Sequence, residues 1–161
     1  MTITKRSAIN FLALDPGETT GWAYFGFGNS GERKLKEVGS IKFDGSFAKI
    51  RDELKALIES FPYLDLVVFE ELIVYGSNTK SEKFKVEGII ELLVEDFKRE
   101  KATMHPGTVK KLITGKGNCS KADLRRALKS RIEIPNKSNQ HIVDAVCVGI
   151  AWLVQNTDYT L

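Results

Sequence analysis

Two short apolar runs, Ile9 to Leu14 and Gly21 to Phe27, flank the turn-forming stretch Asp-Pro-Gly-Glu-Thr-Thr, and this pairing constrains the fold more than any other feature of the chain. Runs of this length joined by a Gly- and Thr-bearing turn predict an antiparallel hairpin. In the second run Trp22 and Tyr24 alternate with Ala23 and Phe25, the period-2 pattern of a strand with two different faces. The break falls at Asp15, so a carboxylate stands at the tip of an apolar strand. A charge persists there only if water, hydrogen bonds or a cation offset its desolvation.

Beyond the hairpin the pattern alternates between helix and strand. A third strand is expected within Leu35 to Phe43, after the Gly-rich turn at Gly28 to Gly31, completing a meander. Ile50, Leu54, Leu57 and Ile58 fall at helical spacing within Phe47 to Ser60, and Pro62 closes that segment. Leu66 to Phe69 reads as a buried strand ending in Glu70 and Glu71. Val86, Ile89, Ile90, Leu93 and Phe97 line one face of a helix over Phe84 to Phe97, widened by Leu92 and Val94. A long core helix is the simpler account of so apolar a segment; the alternative has the sheet cover one face and a second subunit the other.

Ala102 to His105 is a short fifth strand, and Thr108 to Thr114 a short helix. Ser120 followed by Asp123 resembles a helix start, so Lys121 to Arg131 is expected to be helical. The last helix spans roughly Gln140 to Gln155. This order predicts an α/β layered fold with a mixed sheet, in one domain over the 161 residues.

No apolar run is long enough to span a membrane or to serve as a signal peptide, so the chain is expected to be soluble and cytoplasmic, with no membrane partner. Cys119 and Cys147 lack CxxC spacing and read as reduced thiols rather than a zinc site. The net charge of +3 conceals segregation: Lys98 to Lys137 holds twelve Lys or Arg against three Asp or Glu, a local +9, which leaves −6 elsewhere. A basic block beside acidic residues suits a polyanion drawn toward a metal site, and nucleic acid is the commonest such ligand; solvated surface helices are the competing account.

Three acids stand at the ends of separate elements: Asp15 after the first strand, Glu70 after the fourth and Asp144 one turn into the last helix. His141 precedes Asp144 by three residues and shares its helix face. Two carboxylates about 4 Å apart repel by roughly 4 kcal/mol at an effective dielectric of 20, so gathering three requires a cation or a proton. Oxygen-rich ligands point to Mg²⁺ or Mn²⁺ rather than zinc. Taken singly, Asp15 is also a turn-former, Asp144 a helix-start charge and His141 a surface or capping residue. Periodicity does not separate Glu70 from Glu71, because a fully buried strand shows no alternation; Glu71 stays as the reserve candidate.

At these residues the chain resembles the RuvC family of Holliday-junction resolving endonucleases, which have the RNase H-like fold. The resemblance is carried, in order, by LALDPGETTGWAYF, VVFEELIV, HPGTVKKLITGKGNCSKADLRRAL and HIVDAVCVGIAW. It implies a five-stranded mixed β-sheet flanked by α-helices, and catalytic, metal-holding roles for Asp15, Glu70, His141 and Asp144. The implied activity is a structure-selective endodeoxyribonuclease that resolves four-way junctions by two-metal phosphodiester hydrolysis, with two Mg²⁺ per site and Mn²⁺ able to substitute. By the same match Lys110 and Lys121 fall where the family places basic residues near the DNA backbone. Lys111, Lys116, Arg125 and Arg126 are weaker DNA-binding candidates, since exposed helix charges are the default. A homodimer is implied because paired cuts in a symmetric junction need two active sites, with the Phe84 to Phe97 helix as its interface.

One departure stands out. The family often carries an aromatic three residues after the strand-end Glu, where Ile73 stands here; Tyr75 is the nearby residue able to stack on an unpaired base. The chain also stops soon after its last helix, like compact members from bacterial viruses, some of which look like broader branched-DNA nucleases. Two other classes compete with junction resolution: an actin-like or sugar-kinase ATPase, for which the chain is short and lacks a second phosphate loop, and a module that grips junctions without cutting.

Overall fold

The computed structural model describes residues 8–28, 34–73, 81–135 and 138–161. The strands are β1 (Ile9–Asp15), β2 (Thr19–Phe27), β3 (Leu35–Lys42), β4 (Leu66–Glu70) and β5 (Glu100–Met104). The helices are α1 (Phe47–Glu59), α2 (Ser81–Asp96), α3 (Pro106–Thr114), α4 (Lys121–Lys129) and α5 (Gln140–Asn156). They form one mixed sheet of order β3-β2-β1-β4-β5. The hairpin and meander pair antiparallel, while β4 joins β1, and β5 joins β4, in parallel.

β1 is therefore the inner strand that both halves share, and its run of buried residues follows from being covered on both faces. Leu12 and Leu14, with Val67 and Phe69 of β4, face a core closed by Ile50, Leu54 and Ile58 of α1 and Val86, Ile90, Leu93 and Val94 of α2. Phe11 and Ala13, with Leu66 and Val68, face the opposite core, closed by α3, α4 and above all α5. Each fully buried Leu or Phe contributes about 1.5–3 kcal/mol of hydrophobic stabilisation. The Phe11 ring stacks on Phe25 at 4.9 Å and meets Trp152 of α5 at the same distance.

Helix α5 is buried continuously from Ile142 to Leu153. It lies close to the sheet because two glycines leave room: a Cβ on Gly21 of β2 would overlap the His141 carbonyl, and one on Gly149 would overlap the Phe25 ring. Two element starts and one side-chain placement differ notably from the sequence expectation. α3 starts at Pro106 rather than Thr108, because His105 caps it through Nδ1, which accepts from the Gly107 N–H at 3.0 Å, and proline is tolerated in a first turn. β5 begins at Glu100, an exposed edge position whose polar character hides it from a hydrophobicity pattern. Leu92 of α2 is 62% exposed instead of widening the core face, while Val94 is buried.

Candidate active site

The register of the parallel strands decides which acids meet. Leu14 pairs with Phe69, so the next residues, Asp15 and Glu70, sit side by side at the ends of neighbouring strands. Residues two apart share a sheet face. Asp15 thus shares the side of Phe11 and Ala13, and Glu70 that of Leu66 and Val68, which is the side covered by α5. Both acids are buried, Asp15 to 6% exposure. Glu71 lies just outside β4, exposed, and its backbone N–H donates to the Met104 carbonyl. The strand geometry thus favours Glu70.

Helix α5 supplies the third acid. Its start is fixed by Asn139, whose Oδ1 accepts from the Ile142 N–H at 3.0 Å and whose Nδ2 donates to Ser40 Oγ of β3 at 3.1 Å. The Gly21 contact holds the same first turn against β2. Asp144 arrives on this turn with 4% exposure, and half-buried His141 lies one turn before it. Asp15, His141 and Asp144 line a common cleft of about 790 Å³, which the turn after β1, Phe43 and Gly45 also border.

Three cations close that cleft: Lys83 of α2 and Lys121 and Arg125 of α4. Lys121 and Arg125 are four residues apart and so share a helix face. Arg125 grips Asp144 with both arms of its fork, Nε donating to Oδ1 and Nη2 to Oδ2, each at 2.8 Å. Lys121 Nζ stands 3.5 Å from Asp144 Oδ2.

Burial raises the Asp15 carboxyl above its ordinary value; Asp144 adds to the rise, while Lys121, Lys83 and His141 oppose it. Burial raises Glu70 likewise, reinforced by Asp15 and Asp144 and opposed by Lys121 and Lys83. Burial works against the Lys121 charge, but Asp15, Glu70 and Asp144 together outweigh it and hold the ammonium above its usual range. These signs describe one electrostatic unit in which acids and bases are mutually dependent.

The donor set fits a hard divalent ion: carboxylate oxygens and one imidazole, with Asp15 Oδ1 buried and lacking any hydrogen-bond partner. A buried acceptor left unpaired is an exception in folded proteins, and a water or an ion is its ordinary partner. As they stand, however, no three acid or histidine side chains among the described residues converge closely enough to hold an ion. Asp144 is engaged by Arg125 instead.

The other sequence candidates are spread more widely. Lys110 and Lys111 lie on α3, and Lys116 is exposed in the loop beyond it; all three are outside the cleft lining. That loop is tied down by Thr114, whose Oγ1 donates to the Lys110 carbonyl at 2.7 Å and accepts from the Lys116 N–H at 3.1 Å. Tyr75 lies outside the described residues. The cleft lining also includes Lys83, which the sequence did not single out, and Arg125, which it offered only as a weaker DNA-binding candidate. For Arg125 the available signal was its spacing of four from Lys121; for Lys83 there was none. No helix among the described residues is long and apolar enough to cross a membrane.

No protein-family model matches the sequence. The chain is similar to the crossover junction endodeoxyribonucleases RuvC of Wolbachia sp. subsp. Drosophila simulans (strain wRi) and of Wolbachia pipientis wMel. Each is 26% identical over 151 residues, covering 88% of this chain and 92% of the relative. Among solved structures it is similar to Thermus thermophilus RuvC, with a TM-score of 0.69 at 18% identity, covering 91% of this chain and 96% of that one. The T. thermophilus RuvC complex with a Holliday junction substrate matches with a TM-score of 0.73 at 16% identity, covering 89% and 92%. The yeast mitochondrial Holliday junction resolvase Ydc2 matches with a TM-score of 0.61 at 10% identity, covering 93% and 80%. The RNase H-like α/β fold expected from the sequence is the fold observed.

Proposed function

We propose that this chain, RuvC-like in sequence and in fold, is a divalent-metal-dependent endodeoxyribonuclease that cuts branched DNA, with four-way junctions as its principal substrate. The observation that carries this reading is a cleft lined by Asp15, His141 and Asp144 and edged by Lys83, Lys121 and Arg125, with Glu70 beside Asp15 on the adjacent parallel strand and electrostatically coupled to both aspartates. Acids this buried serve no purpose in a module that only grips a polyanion, since they repel phosphate.

Asp15, Glu70, Asp144 and His141 are the residues that would hold the metal, two Mg²⁺ by this reading with Mn²⁺ as substitute. Such ions supply Lewis-acid polarisation of water and phosphate and stabilise charge on the attacking and leaving oxygens. The chain's own residues do the rest. Lys121, 44% exposed and tied electrostatically to all three acids, neutralises a backbone phosphate brought to the cleft. Lys110, Lys111 and Lys116 extend the basic surface along α3 and its loop, where contacts to phosphates fix position without reading bases. Tyr75 remains the candidate for stacking on an unpaired base. Two copies of the chain, paired through α2, would present two sites to opposite strands of a junction; Leu92 and Phe84 are the exposed apolar residues on that helix.

The test is cleavage of synthetic four-way junctions, forks and flaps by the full chain in Mg²⁺ or Mn²⁺. Paired incisions in four-way junctions, lost in Asp15→Asn with binding retained or tightened, are the expected result. Intact junctions that the wild type still binds would overturn the nuclease reading in favour of a binding module. Faster cutting of forks or flaps than of junctions would favour the broader branched-DNA nuclease.

A further inference from the structure

The bidentate pair between Arg125 and Asp144 sits awkwardly with a metal site. Both oxygens of Asp144 accept from the guanidinium at 2.8 Å, Lys121 Nζ stands 3.5 Å from Oδ2, and the carboxylate is almost wholly buried, so an incoming ion meets two cations already at this acid. Meanwhile Asp15 Oδ1, in the same cleft, is buried with no partner. The cluster is thus unevenly satisfied: one acid is doubly bonded by an internal cation and another has an unpaired oxygen. A divalent ion at Asp15 needs at least one oxygen of Asp144 as well, if Asp144 is a ligand.

We propose that Arg125 is an internal counter-ion that holds Asp144 in the metal-free protein and competes directly with divalent metal for it, so that metal loading requires the guanidinium to let go. This rests on the metal-dependent reading given above. The chemistry suits the role. A guanidinium stays charged at any working pH, and its planar fork matches a carboxylate edge-on, so the pair is strong and specific without a metal. Lys121 cannot substitute, because it approaches only Oδ2, at 3.5 Å. With 24% of its side chain exposed, Arg125 stands at the cleft wall, with solvent into which a released guanidinium can turn. Displacing a charge-assisted fork weakens metal affinity by the strength of that pair, and removing the fork returns it. Arg125 is therefore a positioning residue for the metal site.

The experiment is calorimetric titration of Mn²⁺ into the full-length protein without DNA, comparing wild type with Arg125→Gln, Arg125→Lys and Asp144→Asn. Arg125→Gln is expected to bind Mn²⁺ about tenfold more tightly, and Arg125→Lys, which keeps the charge but loses the fork, about threefold. Asp144→Asn should bind it at least tenfold more weakly than wild type. A merely structural role for Arg125 would loosen the site and weaken binding, so the sign alone discriminates. Unchanged or weaker Mn²⁺ binding in Arg125→Gln, with wild type binding normally, overturns the inference and leaves the nuclease reading intact. No Mn²⁺ binding by wild type or by Arg125→Gln overturns both.

Should Arg125→Gln fail to fold, the wild type carries the test alone. The Arg125 Nε–H resonance should shift during a Mg²⁺ titration and saturate with it, with Arg126, paired to Asp123 on the outer surface, as the unmoved control. A stationary Arg125 signal under saturating Mg²⁺ refutes displacement.

Discussion

Replacing Asp15 by Asn should stabilise the metal-free protein. Asp15 is 6% exposed, has a buried oxygen with no hydrogen-bond partner, and shares its cleft with Asp144. A buried polar atom left unpaired costs about 1–3 kcal/mol, and more when charged. The amide keeps some of that polar cost, and the attraction of Lys121 is lost, so the net gain is put at about 1 kcal/mol. For a chain of this size that corresponds to a rise of roughly 2–4 °C in melting temperature. The assay is thermal unfolding in EDTA across pH.

The pH dependence follows from the raised Asp15 pKa. Burial disfavours the ionised form, so its favourable contribution is complete below the ordinary value of 3.8 and is lost as pH rises through the folded-state value. The advantage of Asp15→Asn should be near zero at acidic pH and grow toward neutrality. Saturating Mg²⁺ should reverse the order, since a ligand at a hundred times its dissociation constant adds about 2.7 kcal/mol to the form that binds it. A variant that melts below wild type at pH 7 in EDTA, or a gap that does not close on acidification, would refute the claim that the Asp15 charge is only partly offset by its neighbours.

Gly21→Ala should lower stability by about 1–3 kcal/mol and weaken Mn²⁺ binding together, because the new Cβ meets the His141 carbonyl and pushes the first turn of α5 off the sheet. Gly17→Ala, where a Cβ finds only an ordinary contact with the Thr19 carbonyl at 3.5 Å, should leave both unchanged in the same melting and titration experiments. If two copies pair through α2 as proposed, Leu92→Glu should convert them to single chains by light scattering, with unfolding shifted by less than about 0.5 kcal/mol because the side chain is exposed. A pair that persists in that variant rules out the α2 interface.

How far the sequence reached depended on the kind of information each feature needs. The hairpin, α1 and α5 were legible because alternation and helical spacing are local, and caps such as Ser120, whose Oγ accepts from the Asp123 N–H, are local too. The three acids could be named because Asp15 and Glu70 end strands and Asp144 stands near the start of a helix. Choosing Glu70 over Glu71 was not possible from β4 alone, whose five residues are all buried and show no alternation. Pairing Leu14 with Phe69 puts Glu70 rather than Glu71 beside Asp15, and register is a tertiary fact. The Arg125–Asp144 pair spans 19 residues and two helices, so nothing in the α4 pattern distinguishes Arg125 from the exposed Arg126 beside it except its spacing from Lys121. Leu92 misled because an apolar residue on an apolar helix carries no mark of which way it faces.

The acids and the cations of the cleft are mounted on parts of unequal durability. Asp144 rides a helix buried over twelve consecutive residues, whereas Lys121 and Arg125 ride the nine-residue α4, anchored by Leu124 and Leu128 as its buried residues. Segments with few buried apolar contacts open at lower free energy than the core they rest on. Fluctuations that lift α4 therefore carry off both cations at once and leave the carboxylates in place. Such an opening would leave the carboxylates with Lys83 of α2 as the cation, among the described residues, still lining the cleft.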